Sequence, residues 1–151
     1  MPAASNIGNS KFPQIFPDQS AAFKVKAPDA QKVQLDLGKK YEMVKNGEGV
    51  WEVQTDYLSE GFHYYSLIID GVAVADPASE TFYGMGRMAS GIEVPFKGDG
   101  YYELKNVPHG EVRRVRYFSN ALRSWRQFFL YTPPGYDTNT SEKYPALYIF
   151  H

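Results

Sequence analysis

The fold is decided by residues 50–77, which read Val50-Trp51-Glu52-Val53-Gln54-Thr55, then, after a short connection, Gly61-Phe62-His63-Tyr64-Tyr65-Ser66-Leu67-Ile68-Ile69-Asp70-Gly71, and last Val72-Ala73-Val74-Ala75-Asp76-Pro77. Three runs rich in β-branched and aromatic residues are separated by turn residues. Asp70-Gly71 predicts a two-residue hairpin turn, because a type I′ turn needs positive φ at both central positions. These residues predict the centre of an antiparallel β-sandwich.

Short alternating segments on the N-terminal side extend this prediction. Apolar and polar residues alternate in 21–26 and again in 32–37, and a further short strand is expected at 40–45. Asn46-Gly47 is expected to turn the chain into the strand that contains Trp51, whose side chain we place in the core. Strands at short spacing with turn signals and no helical period indicate an all-β sandwich.

The segments that flank these strands look irregular. Residues 1–20 are polar and carry three prolines, which predicts a loose arm that lies along an edge. Glycines in residues 82–91 predict an irregular loop, followed by a closing strand at 92–94 and a linker at 95–100.

A second unit is predicted after the linker. Residues 111–119 and 124–131 alternate, and 144–150 form a continuous apolar run typical of a strand buried on both faces of an α/β sheet. No helical pattern follows, so we expect the opening strands of a domain whose remainder is missing. Such strands should be mobile, prone to aggregation or paired with another copy.

Composition excludes several classes of function. The 151 residues carry a net charge of −1 and no Cys, which argues against nucleic-acid binding and excludes thiolate zinc sites and Cys nucleophiles. No apolar run is long enough to cross a membrane, and we expect no signal peptide in this sequence. Aromatic residues make up 16%, a high share that suits wet binding surfaces and domain interfaces.

Common catalytic motifs are also absent from the sequence. It contains no Gly-x-Ser-x-Gly nucleophile elbow and no dinucleotide fingerprint, so we expect the chain to be inactive alone and to use no cofactor. His63 is most simply a strand residue and His109 a loop residue, and neither has the spacing of a metal ligand. His151 follows an apolar run, where it is either an ordinary residue or the beginning of an oxyanion segment.

Both faces of the predicted strand at 61–69 are largely apolar, and therefore a second layer should cover the face that carries Phe62 and Tyr64. That layer is a polysaccharide, a second domain or other parts of this chain. Arg87, in the glycine-rich loop, is either solvated or reaches towards the cleft of a neighbouring domain. The candidates for contact with a carbohydrate or another domain are Phe62, Tyr64, Tyr83, Met85 and Arg87.

The strand that leads into Asp70-Gly71 and then Asp76-Pro77 resembles the family 48 carbohydrate-binding module, over roughly residues 20–95. The resemblance implies an early-set immunoglobulin-like sandwich. The Lys and Trp that bind sugar in glycogen-binding members correspond to Ser66 and Ala73 in this sequence.

A second resemblance covers essentially the whole chain after the arm. It is carried by three segments: Asp76 to Gly84 with Gly91 to Pro95, Trp125 to Tyr136, and Tyr144 to His151. These resemble two-domain esterases of carbohydrate esterase family 1, the feruloyl and acetyl xylan esterases of Bacteroidetes. The expected parts are an arm at 1–19, the sandwich at 20–97, and the incomplete beginning of an α/β-hydrolase (esterase) domain at 98–151.

The resemblance implies acyl-ester hydrolysis on hemicellulose by a Ser-His-Asp triad that lies outside this sequence. It implies a secreted or periplasmic parent protein whose partners are its own catalytic domain and feruloylated arabinoxylan or xylan. Two alternatives remain open: a carbohydrate-binding module that acts alone, and a structural domain that packs on the esterase.

Overall fold

A computed structural model describes residues 1–84, 86–98 and 105–150. The chain divides into two compact units, Met1–Tyr101 (unit 1) and Tyr102–His151 (unit 2). The described residues form twelve strands and no helix. The strands are β1 (Gln14–Ile15), β2 (Ala21–Lys26), β3 (Val33–Leu37), β4 (Lys39–Glu42), β5 (Val44–Lys45), β6 (Val50–Gln54), β7 (Gly61–Ile69), β8 (Val72–Val74), β9 (Thr81–Gly84), β10 (Arg87–Val94), β11 (Glu111–Ser119) and β12 (Ser124–Thr132).

Unit 1 contains two antiparallel sheets, which confirms the predicted all-β sandwich. The smaller sheet has the order β1-β2-β6-β5, and the larger has the order β4-β3-β7-β10-β9, with β8 paired to β7. The ring centroids of Phe23 on β2 and Tyr65 on β7 are 4.9 Å apart, so the two sheets meet through aromatic packing. A large side chain buried as completely as Phe23 stabilises a fold by about 1.5–3 kcal/mol.

The hairpin of β7 and β8 confirms the turn predicted at Asp70-Gly71. The φ angles are 47° at Asp70 and 88° at Gly71, both in the left-handed region that a type I′ turn requires. The carboxylate of Asp70 also accepts hydrogen bonds from the backbone N–H groups of Gln31 (2.9 Å) and Lys32 (2.8 Å). One residue therefore sets both the turn and its attachment to the segment before β3.

The single strand predicted at 40–45 is wrong, because the chain changes sheets within it. β4 pairs with β3 in the larger sheet, and β5 pairs with β6 in the smaller sheet. Met43 lies between them with its side chain buried, and its N–H donates to the carbonyl of Val33 at 3.0 Å. The buried Met43 side chain therefore marks the point at which the chain passes from the larger sheet to the smaller one.

The N-terminal arm lies along an edge, as predicted, but it is not loose. β1 pairs with β2 at the edge of the smaller sheet. Ala3, Ser5 and Ile15 are buried, and the N–H of Ala3 donates to the carbonyl of Pro13 at 2.9 Å. The polar composition of residues 1–20 predicts a loose arm, but a few small and apolar residues within it pack into the sandwich.

The irregular loop predicted at 82–91 is wrong: most of it belongs to a hairpin. β9 and β10 pair in register from Arg87 opposite Gly84 to Ser90 opposite Thr81, and Gly86 has a φ of 77°. The closing strand begins at Arg87 and continues to Val94, so it is longer than the predicted 92–94. Met85 lies outside the described residues.

Unit 2 contains a hairpin of β11 and β12, whose bounds agree closely with the predicted alternation. Nine residue pairs run from Glu111 opposite Thr132 to Ser119 opposite Ser124. The guanidinium of Arg113 forms an ion pair with Asp137, which ties the segment after β12 back to the hairpin.

The buried strand predicted at 144–150 is wrong. These residues belong to no strand, and the side chains of Leu147 and Phe150 are 85% and 90% exposed. A strand needs neighbours on both edges and layers on both faces to be buried, and the described residues of unit 2 supply neither for this run. The exposure of apolar surface expected for unit 2 is therefore present.

Candidate binding surface

The two faces of β7 have different surroundings. Tyr65 and Leu67 point into the core and are 1% exposed each, whereas Phe62 and Tyr64 are 43% and 36% exposed on the opposite face. Across the sheet, Phe62 lies opposite Glu93 and Tyr64 lies opposite Gly91. The outer face of the larger sheet thus carries aromatic side chains where a polar surface is usual.

Phe62, Tyr64 and Phe82 form a contiguous cluster on this face, which we call the aromatic cluster. The ring centroid of Phe62 is 4.9 Å from that of Tyr64 and 5.0 Å from that of Phe82, both with edge-to-face geometry. The hydroxyl of Tyr64 donates to the carbonyl of Tyr83 at 3.3 Å. The three rings are therefore held by one another and by β9.

Two glycines provide the space that the cluster occupies. A Cβ atom added at Gly91 would lie 2.3 Å from Cζ of Phe62 and 2.8 Å from Cδ2 of Phe82. A Cβ atom added at Gly84 would lie 2.2 Å from Cζ of Tyr64. The rings therefore sit directly against the backbone of β9 and β10, at positions where any side chain would displace them.

The structure brings together part of the predicted site. Phe62 and Tyr64 lie in the aromatic cluster; Tyr83 contributes its backbone carbonyl, while its side chain is 66% exposed. Arg87 is exposed and pairs with Gly84 at the end of the hairpin. Met85, a predicted contact residue, lies outside the described residues. So does His151, which is either an ordinary residue or the beginning of an oxyanion segment.

Sequence reasoning missed Phe82, Gly84 and Gly91. The glycines in 82–91 predict an irregular loop that includes Phe82, whereas the structure places all three residues in strands. The available signal was a run of small residues at 89–91, but its position against the rings of Phe62 and Tyr64 requires the register of β10 on β7.

The remaining residues singled out from the sequence lie elsewhere. His63 and His109 each contact a nearby backbone carbonyl, of Ser59 at 2.7 Å and of Lys105 at 2.6 Å. Ser66 is buried and Ala73 is exposed. No group of three or more potential metal ligands occurs among the described residues.

The aromatic cluster offers side chains that are suited to binding a ligand or another protein surface. Aromatic rings stack on the C–H face of a sugar ring or pack against apolar side chains of a protein. The charged side chains of Arg87 and Glu93 border the cluster on β10 and can hydrogen-bond to either partner.

Unit 2 exposes a second apolar surface on one face of its hairpin. Cross-strand pairing places Val112 with Tyr131 and Phe118 with Trp125 on this face. Trp125 is 72% exposed. The exposed large apolar side chains of this face are Val112, Phe118, Trp125, Phe129 and Tyr131. Patches of this kind mark surfaces that another segment or molecule covers.

Within the described part of the chain, no helix is both long enough and apolar enough to cross a bilayer.

Comparison of sequences finds a relative whose match spans the full chain. A protein of Xylanibacter ruminicola named endo-1,4-beta-xylanase/feruloyl esterase is 34% identical over 160 aligned residues. The match covers 100% of this chain and 22% of that protein, so the chain spans about a fifth of the length of its relative. No family model matches the chain.

Comparison of structures finds the same fold in parts of larger proteins. An enterobactin esterase of Shigella flexneri superimposes with a TM-score of 0.54 at 16% identity, over 72% of this chain and 38% of that one. A putative alpha amylase of Salmonella typhimurium superimposes with a TM-score of 0.50 at 28% identity, over 66% of this chain and 17% of that one. At 16% identity, the likeness to the enterobactin esterase shows only that the two chains share a fold.

Proposed function

We propose that this chain is the accessory module, with the opening strands of the catalytic domain, of an esterase that removes feruloyl or acetyl groups from xylan. The observation that carries the proposal is the 34% identity to the xylanase/feruloyl esterase over both units. A shared sandwich alone would leave unit 2 unmatched, whereas this match covers 100% of the chain.

The exposed hairpin of unit 2 supports the second part of the proposal. Strands that present large apolar side chains to solvent, as β11 and β12 do at Trp125 and Phe129, gain stability when further strands and helices cover them. In an α/β-hydrolase domain, that cover comes from the rest of the sheet and its helices. The residues of unit 2 then contribute structure, and the catalytic Ser, His and Asp come from elsewhere in the enzyme.

For the sandwich, we propose docking on the catalytic domain of the same protein. The end of the β9–β10 hairpin carries Tyr83 and Arg87, both exposed and available for contact with a neighbouring domain. The finer assignment is a module like family 48 attached to an esterase of carbohydrate esterase family 1, secreted or periplasmic. The all-β sandwich supports the accessory module, and the xylan-related name of the relative supports the esterase.

A segment exchange tests the proposal. In the Xylanibacter ruminicola relative, the matched segment is replaced by this chain, and hydrolysis of methyl ferulate and of xylan is measured. We expect the exchanged protein to hydrolyse both, and a relative that lacks the segment to lose only the hydrolysis of methyl ferulate. Xylan hydrolysis is the control for folding of the rest of the protein. Loss of xylan hydrolysis alone on deletion would contradict the proposal.

A second candidate function is carbohydrate binding by the aromatic cluster, which its exposure on the outer face of the larger sheet favours. Affinity electrophoresis of the full chain in gels that contain xylan, starch or β-glucan tests it. We expect Tyr64→Ala to abolish retardation in the xylan gel, and Tyr57→Ala, which changes an exposed Tyr outside the cluster, to leave it unchanged. No retardation in any gel would remove this candidate and favour a purely structural sandwich.

A further inference from the structure

One face of the hairpin in unit 2 combines large apolar side chains with two arginines, and we call it the Trp125 face. It consists of the five exposed apolar side chains described above together with Arg114, Arg116 and Gln127. Cross-strand pairing places Arg114 opposite Phe129 and Arg116 opposite Gln127. Both arginines are exposed. The two cations therefore lie in the middle of an open apolar surface.

The charge on the Trp125 face has one sign. None of its members is a carboxylate, and neither Arg114 nor Arg116 forms an ion pair within the part of the chain that the structure describes. The opposite face of the hairpin differs. There Arg113 forms ion pairs with Glu111 and Asp137, and its guanidinium lies 6.0 Å from the ring centroid of Tyr136. Unit 2 thus neutralises and partly covers one face of its hairpin and leaves the other open.

A layer that buries the Trp125 face has to compensate its two arginines. A guanidinium that is removed from water without an acceptor is strongly destabilising, whereas one that meets a carboxylate is not. A layer that brings carboxylates to Arg114 and Arg116 is therefore favoured over an uncharged or basic layer. Two copies of the Trp125 face packed on each other would bring four arginines together and no carboxylate, which argues against a second copy as the cover.

The dimensions of the Trp125 face fit a single α-helix. Paired strands lie about 4.8 Å apart, so with its side chains a two-stranded face is about as wide as a helix, whose diameter is about 10–12 Å. Arg114 and Arg116 are two residues apart on β11, or about 6.6 Å along the strand. Residues i and i+4 of a helix are about 6 Å apart along its axis. Two carboxylates one turn apart can therefore pair with both arginines.

We propose that the Trp125 face is the docking surface for an acidic amphipathic helix. The apolar side of this helix covers Trp125 and Phe129, and two of its carboxylates pair with Arg114 and Arg116. The proposal rests on the proposed function for the source of the helix, which is the remainder of the catalytic domain. It adds the chemistry of that helix and the residues of this chain that select it.

Two synthetic peptides and the full chain test the proposal. Each peptide is a cross-linked helix of about 20 residues, the length that spans nine-residue strands, with a stripe of leucines and no Trp. One peptide has Glu at two positions a turn apart beside the stripe, and the other has Lys there. Fluorescence of Trp125, which is exposed whereas Trp51 is buried, reports binding. We expect the Glu peptide to bind about tenfold more tightly at low salt. Added salt should reduce this difference.

Charge reversal identifies the arginines that select the peptide. Arg114→Glu and Arg116→Glu should each weaken binding of the Glu peptide by about threefold, and the double variant should prefer the Lys peptide. Arg126→Glu is the matched control, because Arg126 is an exposed arginine of the same hairpin on the opposite face. It should leave the preference for the Glu peptide in place. The preference of the unsubstituted chain and its dependence on salt decide the question without any variant.

Equal binding of the two peptides, or binding of neither, would overturn the proposal. Dimerisation of the chain that blocks peptide binding, detected by sedimentation, would assign the Trp125 face to a second copy and would also overturn it. None of these measurements depends on ester hydrolysis. A preference for the Glu peptide in a chain that fails the segment exchange would count against the proposed function and leave the docking surface standing.

Discussion

At the scale of single residues, Gly91 shows how a missing side chain shapes a surface. The rings of Phe62 and Phe82 occupy the space in which a Cβ atom would stand. The sequence could not reveal this, because Phe62 and Gly91 are distant along the chain and meet only through the register of β7 and β10. Backbone freedom is the commoner explanation of a glycine in a predicted loop, and it gives no indication of rings packed against the glycine.

Substitution Gly91→Ala should displace these rings and lower the free energy of unfolding by about 1 kcal/mol. This is the low end of the cost of overpacking, because rings near the surface can rotate away from the added methyl group. Denaturant unfolding gives the free energy, and near-ultraviolet circular dichroism reports the ring environment. The control is Gly47→Ala, where an added Cβ meets nothing within 4 Å. Equal effects of the two substitutions would contradict the packing described for the aromatic cluster.

At the scale of elements, the sequence predicts what local chemistry determines. Asp70-Gly71 forms the expected turn because both residues must have positive φ, and this requirement is visible in the dipeptide itself. The change of sheet at Met43 was not predictable in this way. It depends on the carbonyl of Val33 and on the space for one side chain in the core, both supplied by other elements.

The turn offers a test in which only backbone conformation changes. At Gly71, φ is 88° and an added Cβ would meet nothing within 4 Å. Gly71→Ala should therefore lower the free energy of unfolding by about 1–2 kcal/mol through backbone strain alone. Asn tolerates this region better, so Gly71→Asn should lower it less. Denaturant unfolding compares the two variants, and a larger loss for Asn would argue against a type I′ turn.

Residues 144–150 lead to a prediction at the same scale. They lie outside the strands and their apolar side chains are exposed, with Ile149 at 81%. Their amides should exchange hydrogen at close to the rates of an unstructured peptide, whereas the amide of Val25 in the sandwich should be strongly protected. The measurement is hydrogen exchange at a protein concentration where sedimentation shows a monomer. Slow exchange throughout 144–150 in that monomer would contradict the structure of unit 2.

At the scale of the whole molecule, the architecture of unit 1 could be predicted because alternation and turn signals repeat along it. The candidate site was predictable only in part. Phe62 and Tyr64 could be predicted because they give a central strand an apolar outer face. Phe82 could not, because it reaches them only through the pairing of β9 with β10. For residues 144–150, the apolar composition predicts a buried strand that the structure does not form, and the layers that would cover such a strand are not among the described residues.

The central claim is that these two units work as part of a larger xylan-directed esterase. The intact mass of the protein that carries this sequence in its source cells tests it most directly, with isolation by an antibody raised against the full chain. Because the chain corresponds to 22% of its relative, we predict a mass several times the 17.1 kDa of these 151 residues. A single species of 17.1 kDa in those cells would contradict the account.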